Sequence, residues 1–148
     1  VVWGQPETQG IINKPIGRSS INRKKMTISN KGKSAITNWK ILDIYLPLAT
    51  LIECKLETGR THQIRVHLSD LGHSIIGDQT YGKSLLKKNV KNNFYKKQLE
   101  CIKQFDRQAL HAIKLSFNHP ITNKYLDFSS PLPNDMKKLI SILKTKEF

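Results

Sequence analysis

Carboxylates are scarce in this sequence: 11 Asp and Glu stand against 25 Lys and Arg in 148 residues. Residues 8–42 contain no acid, yet Lys14, Arg18, Arg23, Lys24, Lys25, Lys31, Lys33 and Lys40 lie among them. Residues 79–99 form a second acid-free run, with Lys83, Lys87, Lys88, Lys91, Lys96 and Lys97. A solvated face is the lesser reading of either run alone, supported by the fact that genomes rich in A and T inflate Lys, Asn and Ile. Together they set up a field that draws polyanions, of which nucleic acid is the commonest.

Cysteine is nearly absent too. Cys54 and Cys101 lie far apart, with no Cys-x-x-Cys and no Cys/His pairing, so neither a zinc site nor a disulfide framework is expected. Reduced thiols in a cytoplasmic protein fit that usage. No apolar run is long enough to span a bilayer, and the opening VVWGQPETQG has neither a basic n-region nor an h-region. No membrane segment and no export signal are therefore expected. Glycine-rich phosphate loops, a G-x-S-x-G elbow and a Cys/His dyad are all missing. The length suits a single domain. Position 1 is not Met, and VVW runs strand-like into a turn at Gly4 and Pro6, so the chain is expected to start inside an element.

What is present is mostly strand. KMTISN alternates, and SAITNWKILDIYLP and ATLIECKLETG read as two longer strands with a turn near Pro47. ALHAIKLSFNHPITNKYLDFSS reads as a hairpin turned by HPITNK. PLPNDMKKLISILK then switches to helical spacing, with Met136, Leu139, Ile140 and Leu143 at i, i+3, i+4 and i+7 and Asn134 or Asp135 near its start. Residues 83–107 are Lys- and Asn-rich and read as a basic insertion, with Leu99 and Ile102 hinting at a helix. The pattern predicts an α+β fold: a mostly antiparallel, mixed β-sheet, a short helix after the GRTHQIR turn and a C-terminal helix.

The stretch GRTHQIRVHLSDLGHSIIGD stands out, with two arginines and three histidines between Gly59 and His73. A helix over 61–71 would put Ile64, Leu68 and Leu71 toward the core and gather His62, Arg65 and Ser69 on another face. That arrangement presents Arg65 rather than packing it. Gly59 allows a sharp turn into the helix, and Arg60 and the free N–H groups at its N-terminus suit a phosphate or carboxylate. His62 and His67 would point about 140° apart, so the spaced histidine pair of a metalloprotease is absent. His67 and His73 read as structural histidines.

LETGRTHQIRVHLSDLGHSIIGDQTYG, followed by ALHAIKLSFNHPITNKYLDFSSPLPNDM, resembles the C-terminal part of the ribosomal large-subunit pseudouridine synthases of the RluA type. Upstream, GIINKPIGRS and MTISNKGKSAITNWKIL match the family's intervening stretch. The resemblance covers nearly all of the chain outside 83–107 and identifies residues 1–148 as the C-terminal portion of one catalytic domain, with 83–107 a basic variable insertion. It implies a partial pseudouridine synthase fold and isomerisation of uridine to pseudouridine in RNA. The uracil is detached from C1′, turned and rejoined through C5, with no metal or organic cofactor, after the base has left its stack. It implies RNA, ribosomal in kind, as partner of a monomer.

In the family an aspartate attacks or stabilises the nucleoside, a tyrosine stacks on the base, and the arginine of HQIR pairs with the aspartate. That arginine is Arg65 here, and pairing suits its planar fork. Arg60, Thr61, His62 and Gln63 are the expected RNA or substrate contacts, and Leu110 of ALHA is expected to line the pocket beneath the base. The sequence departs from the family at one point: no H-R-L-D segment occurs in residues 1–56, and the tyrosine belongs just before Val2-Trp3-Gly4. Arg65 is therefore expected to serve an aspartate that these residues do not include. Two other readings remain open, a basic RNA-binding module acting alone and a remnant without function.

Overall fold

In the computed structural model, residues 1–82 and 93–145 are described. The two β-rich segments flanking Pro47 form the longest strands, β5 (Ile36–Tyr45) and β6 (Ala49–Leu56), paired antiparallel from Thr37↔Leu56 to Tyr45↔Ala49. Alternation does the sorting: Thr37, Trp39 and Tyr45 of β5 are buried and Lys40 is exposed. The register slips by one residue between Ile41 and Asp43, a bulge that leaves Leu42 without a partner across the ladder. β2 (Gln9–Asn13) pairs with β5 and β1 (Val2–Trp3) with β6, giving the order β1-β6-β5-β2. Two separate hairpins complete the strands: β3 (Ile16–Arg18) with β4 (Met26–Ile28), and β7 (Lys114–Asn118) with β8 (Tyr125–Ser129). All ladders among the described residues are antiparallel, so the expected α+β class holds.

Among the described residues, three helices supply the other half of the core: α1 (Gln63–Asp70), α2 (Asn93–Lys103) and α3 (Asn134–Lys144). Leu68 of α1, Leu99 and Ile102 of α2, and Met136, Leu139 and Leu143 of α3 are buried with Val2, Trp39, Tyr45, Ala49, Ile75 and Ile76 in one cluster. α3 follows its sequence pattern, including Ile140, which packs half-buried against that cluster. A smaller cluster of Ile16, Ala35 and Val66, with Met26, Ile28 and Tyr81 against it, seats the β3–β4 hairpin on α1.

One expectation holds and another changes in part. The helix hinted at by Leu99 and Ile102 within 83–107 is α2, with both residues in the main core; residues 83–92 lie outside the described residues. Helix α1 buries a broader stripe than expected. Leu68 is buried and Ile64 packs half-buried against the main core as expected, but Leu71 is 40% exposed, and Gln63, Val66 and His67 are buried as well, because α1 meets β5 and β4 as well as the main core.

Candidate active site

The turn into α1 is built by side chains rather than by free amides. His62, the N-cap, has a left-handed φ of 57°, and Gln63 folds back under it. Gln63 Oε1 accepts from the Arg60 amide at 2.9 Å and the Thr58 hydroxyl at 2.8 Å, while Nε2 donates to the Ile36 carbonyl at 2.9 Å and Thr37 Oγ1 at 3.0 Å. Thr37 Oγ1 lies 2.9 Å from His67 Nδ1, and His67 Nε2 lies 2.9 Å from the Lys14 carbonyl. A carbonyl only accepts, so Nε2 carries the proton and Nδ1 accepts from Thr37, the neutral tautomer. Burial pushes the His67 pKa down, with the Lys14 carbonyl opposing. His73 is likewise structural, its Nδ1 lying 2.8 Å from the Trp3 carbonyl.

Arg65, expected to stand free, is packed: its side chain is 13% exposed and paired with Asp78, 1% exposed. Nε donates to Asp78 Oδ2 and Nη2 to Oδ1, both at 2.8 Å, the bidentate fork in which Arg differs from Lys. Asp78 Oδ1 also accepts from the amides of Thr80 at 2.9 Å and Tyr81 at 3.0 Å. Burial pushes the Asp78 carboxyl up, but the Arg65 guanidinium and the two amides outweigh it and hold the group below the ordinary carboxylate value. Arg65 is held above its ordinary value by the Asp78 bond, against burial. Only two of the five guanidinium N–H groups are used, and no bond from Nη1 occurs among the described residues.

Tyr81 closes the site. Its ring lies under the Arg65 guanidinium at 4.9 Å, its hydroxyl accepts from the Met26 amide at 2.8 Å, and the same hydroxyl is 2.9 Å from His62 Nδ1. The Tyr81 carbonyl accepts from Ser69 Oγ at 2.9 Å. His62, Arg65 and Ser69 do therefore share a face, and Tyr81 covers it. Partial burial and the neighbouring Arg65 charge lower the His62 pKa, with Asp78 opposing, which keeps the ring neutral at pH 7.

Of the other expected contacts, Arg60 and Thr61 are exposed, and Arg60 Nε donates to the Ser34 carbonyl at 2.9 Å. Gln63 is buried in scaffolding bonds, as above. Leu110 is half-buried against the main core and joins the site's surroundings through the backbone, since the Ala109 amide donates to the Ile76 carbonyl at 2.8 Å. Asp78 and Tyr81 had no role assigned from sequence. The signal was present: Asp78 is the last acid before an acid-free run, and an aspartate between an apolar Ile75-Ile76 pair and a Tyr-Gly is placed for burial, which demands a cation. No group of three or more potential metal ligands, and no helix long and apolar enough to cross a membrane, occurs among the described residues.

Residues 1–70 match the family profile described as RNA pseudouridylate synthase. Over 148 aligned residues the chain is 45% identical to the ribosomal large subunit pseudouridine synthase D of Zymomonas mobilis, a match covering 97% of this chain and 43% of that protein. It is 42% identical over 135 residues to the RNA pseudouridine synthase YlyB of Bacillus subtilis, covering 91% of this chain and 39% of that one. The chain thus spans about two-fifths of the curated relatives it matches. Among solved structures, human RNA pseudouridylate synthase domain containing 4 shares the fold, with a TM-score of 0.70 at 23% identity over 99% of this chain and 60% of that one.

Proposed function

Because the chain belongs to the RNA pseudouridine synthase family, of the RluA type, we propose that it is the C-terminal part of a catalytic domain that isomerises a uridine of large-subunit ribosomal RNA to pseudouridine. The observation that carries the reading is the fixed guanidinium: Asp78 takes Arg65 side-on, and the end-on edge containing Nη1 points to no carboxylate among the described residues. A second carboxylate can dock on that edge. In this reading it is the reacting aspartate, supplied by a segment these residues do not include, and Arg65 keeps it ionised and oriented. The Tyr81 ring lies under the guanidinium and the neutral His62 packs edge-on against Tyr81, so the nucleoside would meet an aromatic ring and an uncharged imidazole near the cation. Arg60, Thr61 and Leu110 are the outer contacts. The protein acts in the cytoplasm, as a monomer, without metal or organic cofactor.

The separating experiment uses a longer form that carries an H-R-L-D segment. Arg65→Lys keeps the charge and loses the fork, so the single-turnover rate should drop by a factor of about 100 or more while the RNA dissociation constant barely changes. Arg60→Lys should be mild in both. An Arg65→Lys variant that binds RNA worse but turns over normally would make Arg65 a backbone contact. The 148-residue chain alone should release no tritium from 5-labelled uridine above a no-enzyme blank.

A further inference from the structure

The basic run of residues 8–42 folds around one feature, the β3–β4 hairpin, whose tip carries Ile21 at 97% exposed. The loop is braced. The Ser19 amide donates to the Lys25 carbonyl at 3.0 Å, the Asn22 amide to Ser19 Oγ at 3.1 Å, the Lys24 amide to Asn22 Oδ1 at 3.0 Å, and Arg18 Nη1 to the Arg23 carbonyl at 2.8 Å. An apolar side chain is thus held out in water by a structured loop.

The loop is cationic. Arg18, Arg23 and Lys24, in or beside it, are exposed and have no carboxylate partner among the described residues. The same holds for Lys31 and Lys33 toward the other end of the hairpin, where Lys33 pairs with Ile16, whereas Lys14 and Lys40 are paired with Asp70 and Glu53. The turn end of the hairpin, where Met26 pairs with Arg18, is tied to the candidate site by the Met26 amide on Tyr81 Oη and by Lys25 Nζ on the Thr80 carbonyl, both at 2.8 Å. The tip therefore stands beside the Arg65 pocket.

A uridine that enters a protein pocket leaves a gap in its stack, and unstacking is costly unless something apolar fills the gap while the flanking phosphates are held. We propose that the β3–β4 hairpin opens the RNA: Ile21 wedges into the stack that the target uridine leaves, and Arg23 and Lys24 grip the phosphates on either side. The proposal rests on the RNA-modifying reading of the site and adds the device that delivers the base to it. The other exposed tip isoleucine, Ile121 of the β7–β8 turn, 88% exposed, lacks the cation cluster and takes no part.

The test uses the 148-residue chain and an RNA stem-loop with 2-aminopurine next to a uridine. Anisotropy reads binding, and 2-aminopurine emission reads unstacking. The wild-type chain should bind and raise the emission. Ile21→Ser, at a position with no packing to lose, should bind within about twofold of wild type yet leave the emission near that of free RNA; Ile21→Leu should restore it. Arg23→Gln with Lys24→Gln should reduce the slope of log affinity against log salt by roughly 1.5, at 0.7 to 0.9 per phosphate contact. Ile121→Ser should change neither signal. Binding without any rise, an undiminished rise in Ile21→Ser, or an unchanged slope in the double variant would each overturn the proposal. These outcomes do not depend on turnover, so a longer form that fails to make pseudouridine would refute the proposed activity and leave the wedge standing.

Discussion

β3–β4 and β7–β8 are both short antiparallel hairpins outside the four-stranded sheet, and both turn through a loop with an exposed isoleucine. What holds them differs. β3–β4 buries Ile16 against Ala35 and Val66, and residues far along the sequence bond to it: Tyr81 Oη accepts from its Met26 amide, and the Thr80 backbone carbonyl accepts from its Lys25 Nζ. β7–β8 is held by its own ladder. Leu115↔Phe128 and Phe117↔Leu126 put four apolar side chains on one face, yet Leu115, Phe117 and Phe128 are 61%, 40% and 53% exposed. An isolated two-stranded hairpin is at best marginal in water. The lesson is that a hairpin's order is set by what other elements lend it, and here the lender is the Arg65–Asp78–Tyr81 assembly.

The strongest way to break that contrast is Asp78→Asn. It leaves the buried Arg65 charge without its partner, which should cost about 3–5 kcal/mol by urea unfolding. Amide exchange should accelerate at Met26 and Ile28 and stay as it was in β7–β8. A loss below about 1 kcal/mol would mean that the small Ile16 cluster holds β3–β4 unaided. Next comes Tyr81→Phe, which deletes the acceptor for the Met26 amide. It should cost about 1 kcal/mol, with faster exchange at Met26 alone reporting the lost bond.

A pH titration sharpens the same contrast. His67 and His62 have folded pKa values below the unfolded 6.5, so the unfolded chain binds more protons just under that pH. Stability contributed by the two neutral rings is complete above pH 6.5 and is lost as pH falls below it toward their lowered folded values. Urea midpoints at pH 7.5 and 5.5 should fall in that order, and His67→Gln should flatten the difference without abolishing it. The smallest effect should be Leu115→Ser, within about 0.5 kcal/mol, since Leu115 is 61% exposed. A larger loss would show β7–β8 to be packed after all.

Most of this contrast was hidden in sequence, for identifiable reasons. Period-two alternation marked β5 and β6 because one face is buried and the other wet, and the spacing of Met136, Leu139 and Leu143 marked α3 for the same reason. Alternation in LSF and YLDF looked no different, although that hairpin buries no side chain fully, because periodicity records that a face is apolar and not what covers it. At the site, the grouping of His62, Arg65 and Ser69 was readable from helical geometry. That Arg65 is packed was not, since its partner lies thirteen residues on in a loop, where no period connects them. The structural roles of His67 and His73 were legible by elimination, whereas the Gln63–Thr37–His67 chain depends on strand β5 lying against α1.

Gly77, which precedes Asp78, has a φ of +74°, and a Cβ there would stand 2.0 Å from the Arg107 carbonyl oxygen. Position 77 is thus closed to every side chain on two counts, strain and space. In a gene this has a simple reading. Any base change in the first two positions of a glycine codon replaces the glycine or ends the chain, so this codon is free to wander only at its third base. A population carrying this protein should shed every other variant at position 77, and a saturation library selected for folded chain should return glycine there while the neighbouring Gln79 codon diversifies.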